Sequence, residues 1–261
     1  MAVLFDMNLR AKRRDRAART GAECFLFERV FADCLDRIAL IQRRFGRALL
    51  IGCPDPEWPA RLRDAADAVD VRDPGLLFAQ AAGGERIIED QWRPQPRAYD
   101  LVLALGTLDT VNDVPAALRL LFEAMNQDAL LIGAVSGGDT LPRLRDAMRA
   151  ADAVTDVAVP HVHPRIEPSA LAPLLSGVGL VRPVIDVDRV HVRYPSFQNL
   201  VGDLRKMGAT NILQHRERSA LSRAAFRAAE QAFEQGANQG RTTESFEILH
   251  FAAWKGHARN G

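Results

Sequence analysis

Several residues with the chemistry to hold a nucleoside follow short apolar runs of the chain. The candidates are Gly52, Cys53, Asp70, Glu89, Asp90 and Gly106. A carboxylate at Asp70 would accept hydrogen bonds from the two hydroxyls of a ribose, and Glu89 or its neighbour Asp90 would meet the base. The glycines would let the backbone approach such a ligand closely, because they lack a Cβ and tolerate a positive φ. This pattern predicts a pocket for a cofactor that contains a nucleoside.

The turn after the first apolar run departs from what such a cofactor requires. It begins Gly52-Cys53-Pro54-Asp55-Pro56 and retains one glycine of the usual two or three. Pro54 and Pro56 have no N–H donor, and each fixes φ at about −65°. Each lost hydrogen bond to a charged group is worth about 1.5–3 kcal/mol. We therefore expect cofactor binding to be weak or lost.

Three residues are candidates for a catalytic role. Asp109 follows the fourth apolar run, His161 lies in a proline-rich loop, and Tyr194 ends a valine-rich segment. Their spacing assembles no Ser-His-Asp or Cys-His arrangement, so they assign no reaction by themselves. Tyr194 is equally consistent with a tyrosine at a strand end, with its ring in the core and its hydroxyl in water.

The histidines and cysteines do not predict a metal site. His161, His163 and Glu167 lie close together, but the prolines between and beside them prevent a shared helical face. No second cluster supplies further ligands. The cysteines form no CxxC pair and are odd in number, so no disulfide framework follows. They are Cys24, Cys34 and Cys53.

The composition is that of an ordinary globular protein. The 261 residues are 48% hydrophobic and 26% charged, and the formal net charge is +1. A charge so close to zero provides no global field for nucleic acid. No apolar run approaches the length of a membrane span, and charges arrive too early for a signal peptide. We therefore expect a cytoplasmic protein with no nucleic-acid partner and no integral membrane segment.

Apolar runs that alternate with helical patterns predict an α/β fold. Residues 8–45 have helical periodicity, interrupted at Gly21. The rest predicts a mainly parallel sheet with crossover helices and an antiparallel final strand. Seven strands are expected, at 47–52, 68–71, 86–90, 99–106, 129–135, 181–195 and 245–255. Helices are predicted after most of them, including 196–207 and 215–235. The expected organisation is an N-terminal helical arm, 1–45, followed by one domain, 46–261.

Motifs along nearly the whole chain resemble the methyltransferase-like assembly factors of respiratory complex I. That family is related to malonyl-carrier-protein O-methyltransferases. The matching segments are FDMNLRAKRRDRAA (5–18), VNDVPAAL (111–118), GGDTLPRLRDAM (137–148), PHVHP (160–164), LLSGVGL (174–180), DVDRVHVRYPSFQNLVGDLRKMGATN (186–211) and FAAWKG (251–256). The resemblance implies a Rossmann-like class I methyltransferase fold, S-adenosylmethionine as cofactor and a complex I subunit as partner. It also places His161 and Tyr194 on the substrate side.

Departures from the family fall on the segments that bind the cofactor or support it. The family's glycine-rich loop is replaced by GCPDPEW, and Leu50 stands where its first strand has an acidic residue. The turns at 108–110 and 126–128 also differ. The basic run 10–19 would suit nucleic acid, an anionic membrane surface, the cofactor's carboxylate or simply solvent. The resemblance favours an arm that folds over the cofactor pocket.

Three functions are consistent with this sequence. The first is an S-adenosylmethionine-dependent enzyme that modifies an arginine of a complex I subunit by hydroxylation. The second is a non-catalytic assembly chaperone with a degenerate cofactor site. The third is a small-molecule or carrier-protein O-methyltransferase. The sequence leaves open whether the chain is an enzyme, and it is compatible with a location in the cytoplasm or peripheral to the inner membrane.

Overall fold

The apolar runs assemble into one twisted sheet that matches the predicted architecture. The computed structural model describes residues 3–156 and 158–256. The strands are β1 (Phe45–Ile51), β2 (Ala66–Asp73), β3 (Glu85–Arg86), β4 (Tyr99–Leu105), β5 (Met125–Ser136), β6 (Leu180–Tyr194), β7 (Ala237–Asn238) and β8 (Arg241–Lys255). Their order is β3-β2-β1-β4-β5-β8-β6, and β7 pairs only with β8. The α/β class and the antiparallel β8 are confirmed; the short β7 is one strand more than expected.

The helices cover both faces of the sheet. They are α1 (Met7–Thr20), α2 (Phe25–Leu40), α3 (Trp58–Leu62), α4 (Leu76–Ala81), α5 (Val114–Ala124), α6 (Pro142–Thr155), α7 (Pro168–Gly177), α8 (Phe197–Lys206) and α9 (Arg223–Glu234). Asp113 caps α5, because its carboxylate accepts from the Ala116 N–H at 2.7 Å. No helix within the described ranges is long and apolar enough to cross a membrane.

Alternating residues of β1 supply two separate cores. Leu49 packs with the residues under α5 and α7, whereas Leu50 faces α2 and α3. Both side chains are fully buried, which stabilises the fold by about 1.5–3 kcal/mol each. The Leu50 core includes a stacked pair, Phe31 and Trp58, whose ring centroids are 4.4 Å apart. The position at which the family has an acidic residue is therefore part of an apolar core.

The strand predicted at 68–71 continues further than expected. β2 runs to Asp73, because Arg72 and Asp73 still pair with β3 and the residue before Pro74 favours an extended backbone. Asp70 therefore does not end the strand. Its carboxylate accepts from the Tyr99 hydroxyl and from Arg47, each at 2.7 Å, beside the first residue of β4. Asp70 thus lies within the strand, opposite Leu49 of β1, and not at the carboxyl edge of the sheet.

Two other predicted elements are shorter in the structure. The strand expected at 86–90 ends at Arg86, and the Ile88 carbonyl accepts from two following N–H groups in a turn that carries Glu89 and Asp90. The helix expected at 215–235 begins only at Arg223. The Glu217 carboxylate accepts from the next two backbone N–H groups, which competes with helix formation.

Candidate functional site

The first loop at the carboxyl edge of the sheet is packed tightly against its neighbours. Gly52 has a φ of +83°, and a Cβ there would lie 2.3 Å from the Leu105 carbonyl oxygen. The following N–H, that of Cys53, donates to the Asp73 carboxylate at 2.8 Å. Pro54 and Pro56 supply no donor beyond it. Of the two N–H groups in 53–56, that of Cys53 is therefore already bonded within the chain.

Asp73 is the carboxylate that occupies the position predicted for Asp70. It ends β2 next to the glycine loop, where such folds bind ribose. Arg14 of α1 donates two hydrogen bonds to this carboxylate, from Nε to Oδ1 at 2.8 Å and from Nη2 to Oδ2 at 2.6 Å. The N–H groups of Cys53 and Gly75 donate to the same carboxylate. With four donors and no solvent exposure, Asp73 has little capacity left for a ribose.

Glu89 lies in the turn after β3 and is held in the same way. Arg10 donates from Nη1 to Oε2 at 2.7 Å and from Nη2 to Oε1 at 2.8 Å. The Nη2 group also donates to the Thr107 carbonyl at 2.7 Å. The side chains of Arg10 and Glu89 are 4% and 0% exposed, so the pair excludes water. The neighbouring Asp90 accepts from the backbone N–H of Asp113 at 3.0 Å and is a structural contact of α5.

Helix α1 positions both arginines through its periodicity. Asp6 caps the helix by accepting from the Leu9 N–H at 2.9 Å. Arg10 and Arg14 are separated by one turn and therefore share the face turned toward the sheet. Burial opposes the charge of Arg14, but the adjacent Asp73 carboxylate outweighs it and raises the pKa of the guanidinium. Helix α1 thus places two cations on the carboxylates of Asp73 and Glu89.

An apolar cavity remains on the far side of Gly106. Its volume is about 80 Å³, and Phe27, Arg165 and Glu247 are among the residues that line it. Gly106 has a φ of +60°, and a Cβ there would lie 2.8 Å from the Phe27 ring. Asp109 is buried behind this cavity and forms an ion pair with Arg165. Gly106 therefore lies at the wall of the cavity. The Asp109 carboxylate is not free to act there, because it is paired with Arg165.

The structure does not bring the three catalytic candidates together. Asp109 pairs with Arg165, whereas His161 Nε2 lies 2.7 Å from the Asp152 carboxylate at the end of α6. Tyr194 is buried among the apolar side chains of α8 and α9. None of the described cavities is lined by two of the three. Their catalytic role stays a prediction.

The histidine pair of the proline-rich loop diverges. His163 is buried, and its Nε2 accepts from the Ile212 N–H at 2.9 Å, while its ring meets Phe5 edge-on at 5.4 Å. Within residues 3–156 and 158–256, no group of three or more His, Cys, Asp or Glu side chains is placed to hold a metal.

Replacing His163 with glutamine should make stability less sensitive to acid. Burial, reinforced by the charge of Arg165, lowers the pKa of His163 to about 3 from 6.5. The unfolded chain therefore takes up this proton below about pH 6.5 and the folded chain does not, so stability falls as the pH decreases toward about 3. The slope is at most about 1.4 kcal/mol per pH unit.

Urea unfolding of wild type and H163Q between pH 7 and pH 4.5 measures this difference. The exposed His215→Gln is the matched control and should retain the wild-type slope. An equal acid slope in H163Q and wild type would contradict the assignment.

The functional residues that the sequence did not identify are Asp73, Arg10 and Arg14. Asp73 carried a usable signal, since it precedes Pro74 and such a residue favours the extended conformation that prolongs a strand. The arginines were visible as a basic run, but their partners lie 79 and 59 residues away along the chain. Spacing alone gave no basis for these pairings.

The chain is similar over nearly its whole length to two kinds of protein. It is 29% identical over 274 residues to the mitochondrial arginine-hydroxylase NDUFAF5 of Mus musculus, covering 97% of this chain and 78% of that protein. The same protein of Danio rerio is 26% identical over 272 residues, with 97% and 83% covered. The malonyl-[acyl-carrier protein] O-methyltransferase of Laribacter hongkongensis is 31% identical over 270 residues, with 94% and 88% covered.

Solved structures share the fold at low sequence identity. The YcgJ protein of Bacillus subtilis has a TM-score of 0.57 at 10% identity, covering 85% of this chain and 97% of its own. A candidate methyltransferase of Bacillus halodurans has a TM-score of 0.55 at 10% identity, covering 85% and 99%. No family model matches the chain. These likenesses concern the fold alone.

Proposed function

Because the chain belongs to the class I methyltransferase superfamily, alongside NDUFAF5 and the malonyl-carrier-protein O-methyltransferases, we propose that it serves respiratory complex I assembly without using S-adenosylmethionine. The segments that resemble the assembly factors lie mainly in 137–148 and 160–211, which we take as the surface for a complex I subunit. The departures lie in the cofactor loop, with Leu50 before it, and in the turns at 108–110 and 126–128. A protein retained for methyl transfer alone would show the opposite distribution.

The observation that carries this proposal is the pair of buried arginine–carboxylate contacts. Arg14 and Arg10 bind the two carboxylates, Asp73 and Glu89, that would otherwise take the ribose and the base. The residues present therefore do not fit the cofactor in this conformation. Breaking both buried pairs would leave uncompensated charges, at a cost of about 3–5 kcal/mol for each. We propose residues 1–45 as an arm that closes the pocket of the domain 46–261.

A second candidate is an arginine-modifying enzyme, as the name of the NDUFAF5 relatives suggests. The cavity beyond Gly106 bears on this candidate, because Glu247 lies at its wall, is only 4% exposed and already pairs with a guanidinium, that of Arg189, at 3.0 Å. A carboxylate beside an apolar cavity would suit a guanidinium guest. This function would require the arm to leave the cofactor positions first.

Deletion of the gene in a bacterium that encodes it separates these candidates. We expect the NADH:quinone activity of isolated membranes to fall severalfold, with recovery when the wild-type gene is returned on a plasmid. Mass spectrometry of complex I subunits should show the same arginine modification in both strains. Loss of activity together with loss of modification would favour the enzyme. Normal complex I with normal modification would rule out the assembly role.

A further inference from the structure

A second group of arginines begins on the flank of α1, where Arg13 is half-buried and Arg16 is exposed. Arg13 and Arg16 are three residues apart and so are neighbours on the helix surface. Burial lowers the pKa of Arg13 to about 10, and three neighbouring guanidinium groups add to this effect. They belong to Arg16, Arg216 and Arg205. We call these four residues the arginine cluster; they come from α1, α8 and the loop that precedes α9.

The arginine cluster is poorly compensated by negative charge. Asp6 is the carboxylate that acts on Arg13, and it lies 3.6 Å from Arg216. One of its oxygens already accepts from the Leu9 N–H. Among the residues that the structure describes, Arg13, Arg16 and Arg205 form no ion pair with any carboxylate. By contrast, other arginines of α2 and β1 are paired, such as Arg29 with Asp188 and Arg47 with Asp70.

Four like charges in one place destabilise the free protein and attract anions. The cluster is also partly recessed: the Arg216 side chain is 14% exposed, whereas Arg16 and Arg205 are open to solvent. A recess formed by planar guanidinium groups suits carboxylate side chains, which can accept two parallel hydrogen bonds. A flat lipid surface would reach only the outer members.

Exposed apolar residues lie beside the arginine cluster. Val3 is 55% exposed and Leu4 is 42% exposed. The Leu4 carbonyl accepts from the Gln214 N–H at 2.8 Å, which holds this segment against the loop that carries Arg216. The combined surface therefore presents positive charge next to a small apolar strip. The cluster itself includes no aromatic side chain on which a nucleic-acid base would stack.

We propose that the arginine cluster and the Val3–Leu4 strip form the docking surface for an acidic segment of a partner protein, with several carboxylates and at least one apolar side chain. This proposal is independent of the proposed role in complex I and of the cofactor. Because the net charge of the chain is only +1, the attraction is local and depends on these residues.

Fluorescence anisotropy of a labelled peptide of repeated Glu-Glu-Leu units, titrated with the full chain, tests this surface. We expect saturable binding in low salt, weakened about tenfold or more by the double change R16E/R205E, since each charge-assisted contact is worth about 1.5–3 kcal/mol. The control is R223E/R227E, which makes the same change in net charge on exposed positions of α9. Unfolding curves of both variants establish that they are folded.

Wild-type binding that R16E/R205E weakens and R223E/R227E leaves within about twofold supports the proposal. No binding by wild type, or equal loss in both variants, would overturn it. Parallel titrations use vesicles with anionic headgroups and single-stranded RNA. Tighter binding to either of these, lost in R16E/R205E, would overturn it in favour of that partner.

Discussion

Replacing Arg14 with leucine should lower the free energy of unfolding by about 3–5 kcal/mol, because it leaves Asp73 charged and buried without its cation. The Asp73 side chain has no exposure, and the Arg14 side chain is 7% exposed, so water cannot take the place of the guanidinium. Urea unfolding at neutral pH measures the loss.

Two further variants test the physical reason for that loss. Arg16→Leu lies on the exposed side of the same helix and should change stability by at most about 0.5 kcal/mol. The double variant R14L/D73N should recover part of the loss, because it removes the stranded charge. The recovery is incomplete, since Cys53 and Gly75 donate to different oxygens of Asp73 and the amide keeps an acceptor for one of these N–H groups only. A loss below about 1 kcal/mol in R14L would show that the pair does not hold the arm.

Replacing Gly52 with alanine should also destabilise the protein strongly, in the absence of any cofactor. Its φ of +83° disfavours a side chain, and the new Cβ would lie 2.3 Å from the Leu105 carbonyl oxygen. Backbone strain of about 1–2 kcal/mol and overpacking of about 1–3 kcal/mol predict a total loss of roughly 3 kcal/mol.

The matched control for Gly52 is Gly83, which has a φ of +71° but no atom within 4 Å of an added Cβ. Gly83→Ala should therefore lose only the strain, about 1 kcal/mol. Thermal or urea unfolding of both variants measures the difference. Equal losses would indicate that the close approach of β1 and β4 is not rigid. A large loss in G52A alone means that this glycine is required by the fold itself.

The sheet could be predicted because each strand carries its own signal. Residues 47–52 and 99–106 are short apolar runs bounded by glycine, and buried parallel strands have this composition. The chain order of strands and helices then restricts the topology. Strand ends are harder to predict, since Arg72 and Asp73 are polar and extend β2 through pairing with β3 and, for Arg72, with Ile51 of β1.

The site could be predicted only in part, because its chemistry depends on contacts between distant segments. Glu89 and the Gly52 loop are identifiable as polar and flexible residues at the ends of apolar runs. The cations that bind at this site are not identifiable, because Arg10 and Arg14 belong to a run in which most residues are basic. Which of these cations turns inward depends on how α1 docks against α4 and α8, and that packing has no local signal.

Calorimetric titration of the full chain with S-adenosylmethionine shows whether the pocket takes up the cofactor. We expect no saturable heat, corresponding to a dissociation constant weaker than about 1 mM, because Asp73 and Glu89 are bound by Arg14 and Arg10 and the loop lacks donors. An active methyltransferase titrated with the same ligand stock controls for ligand quality. Saturable binding in the low micromolar range would contradict the proposal that the chain does not use S-adenosylmethionine. It would show that the arm leaves the pocket when the cofactor binds.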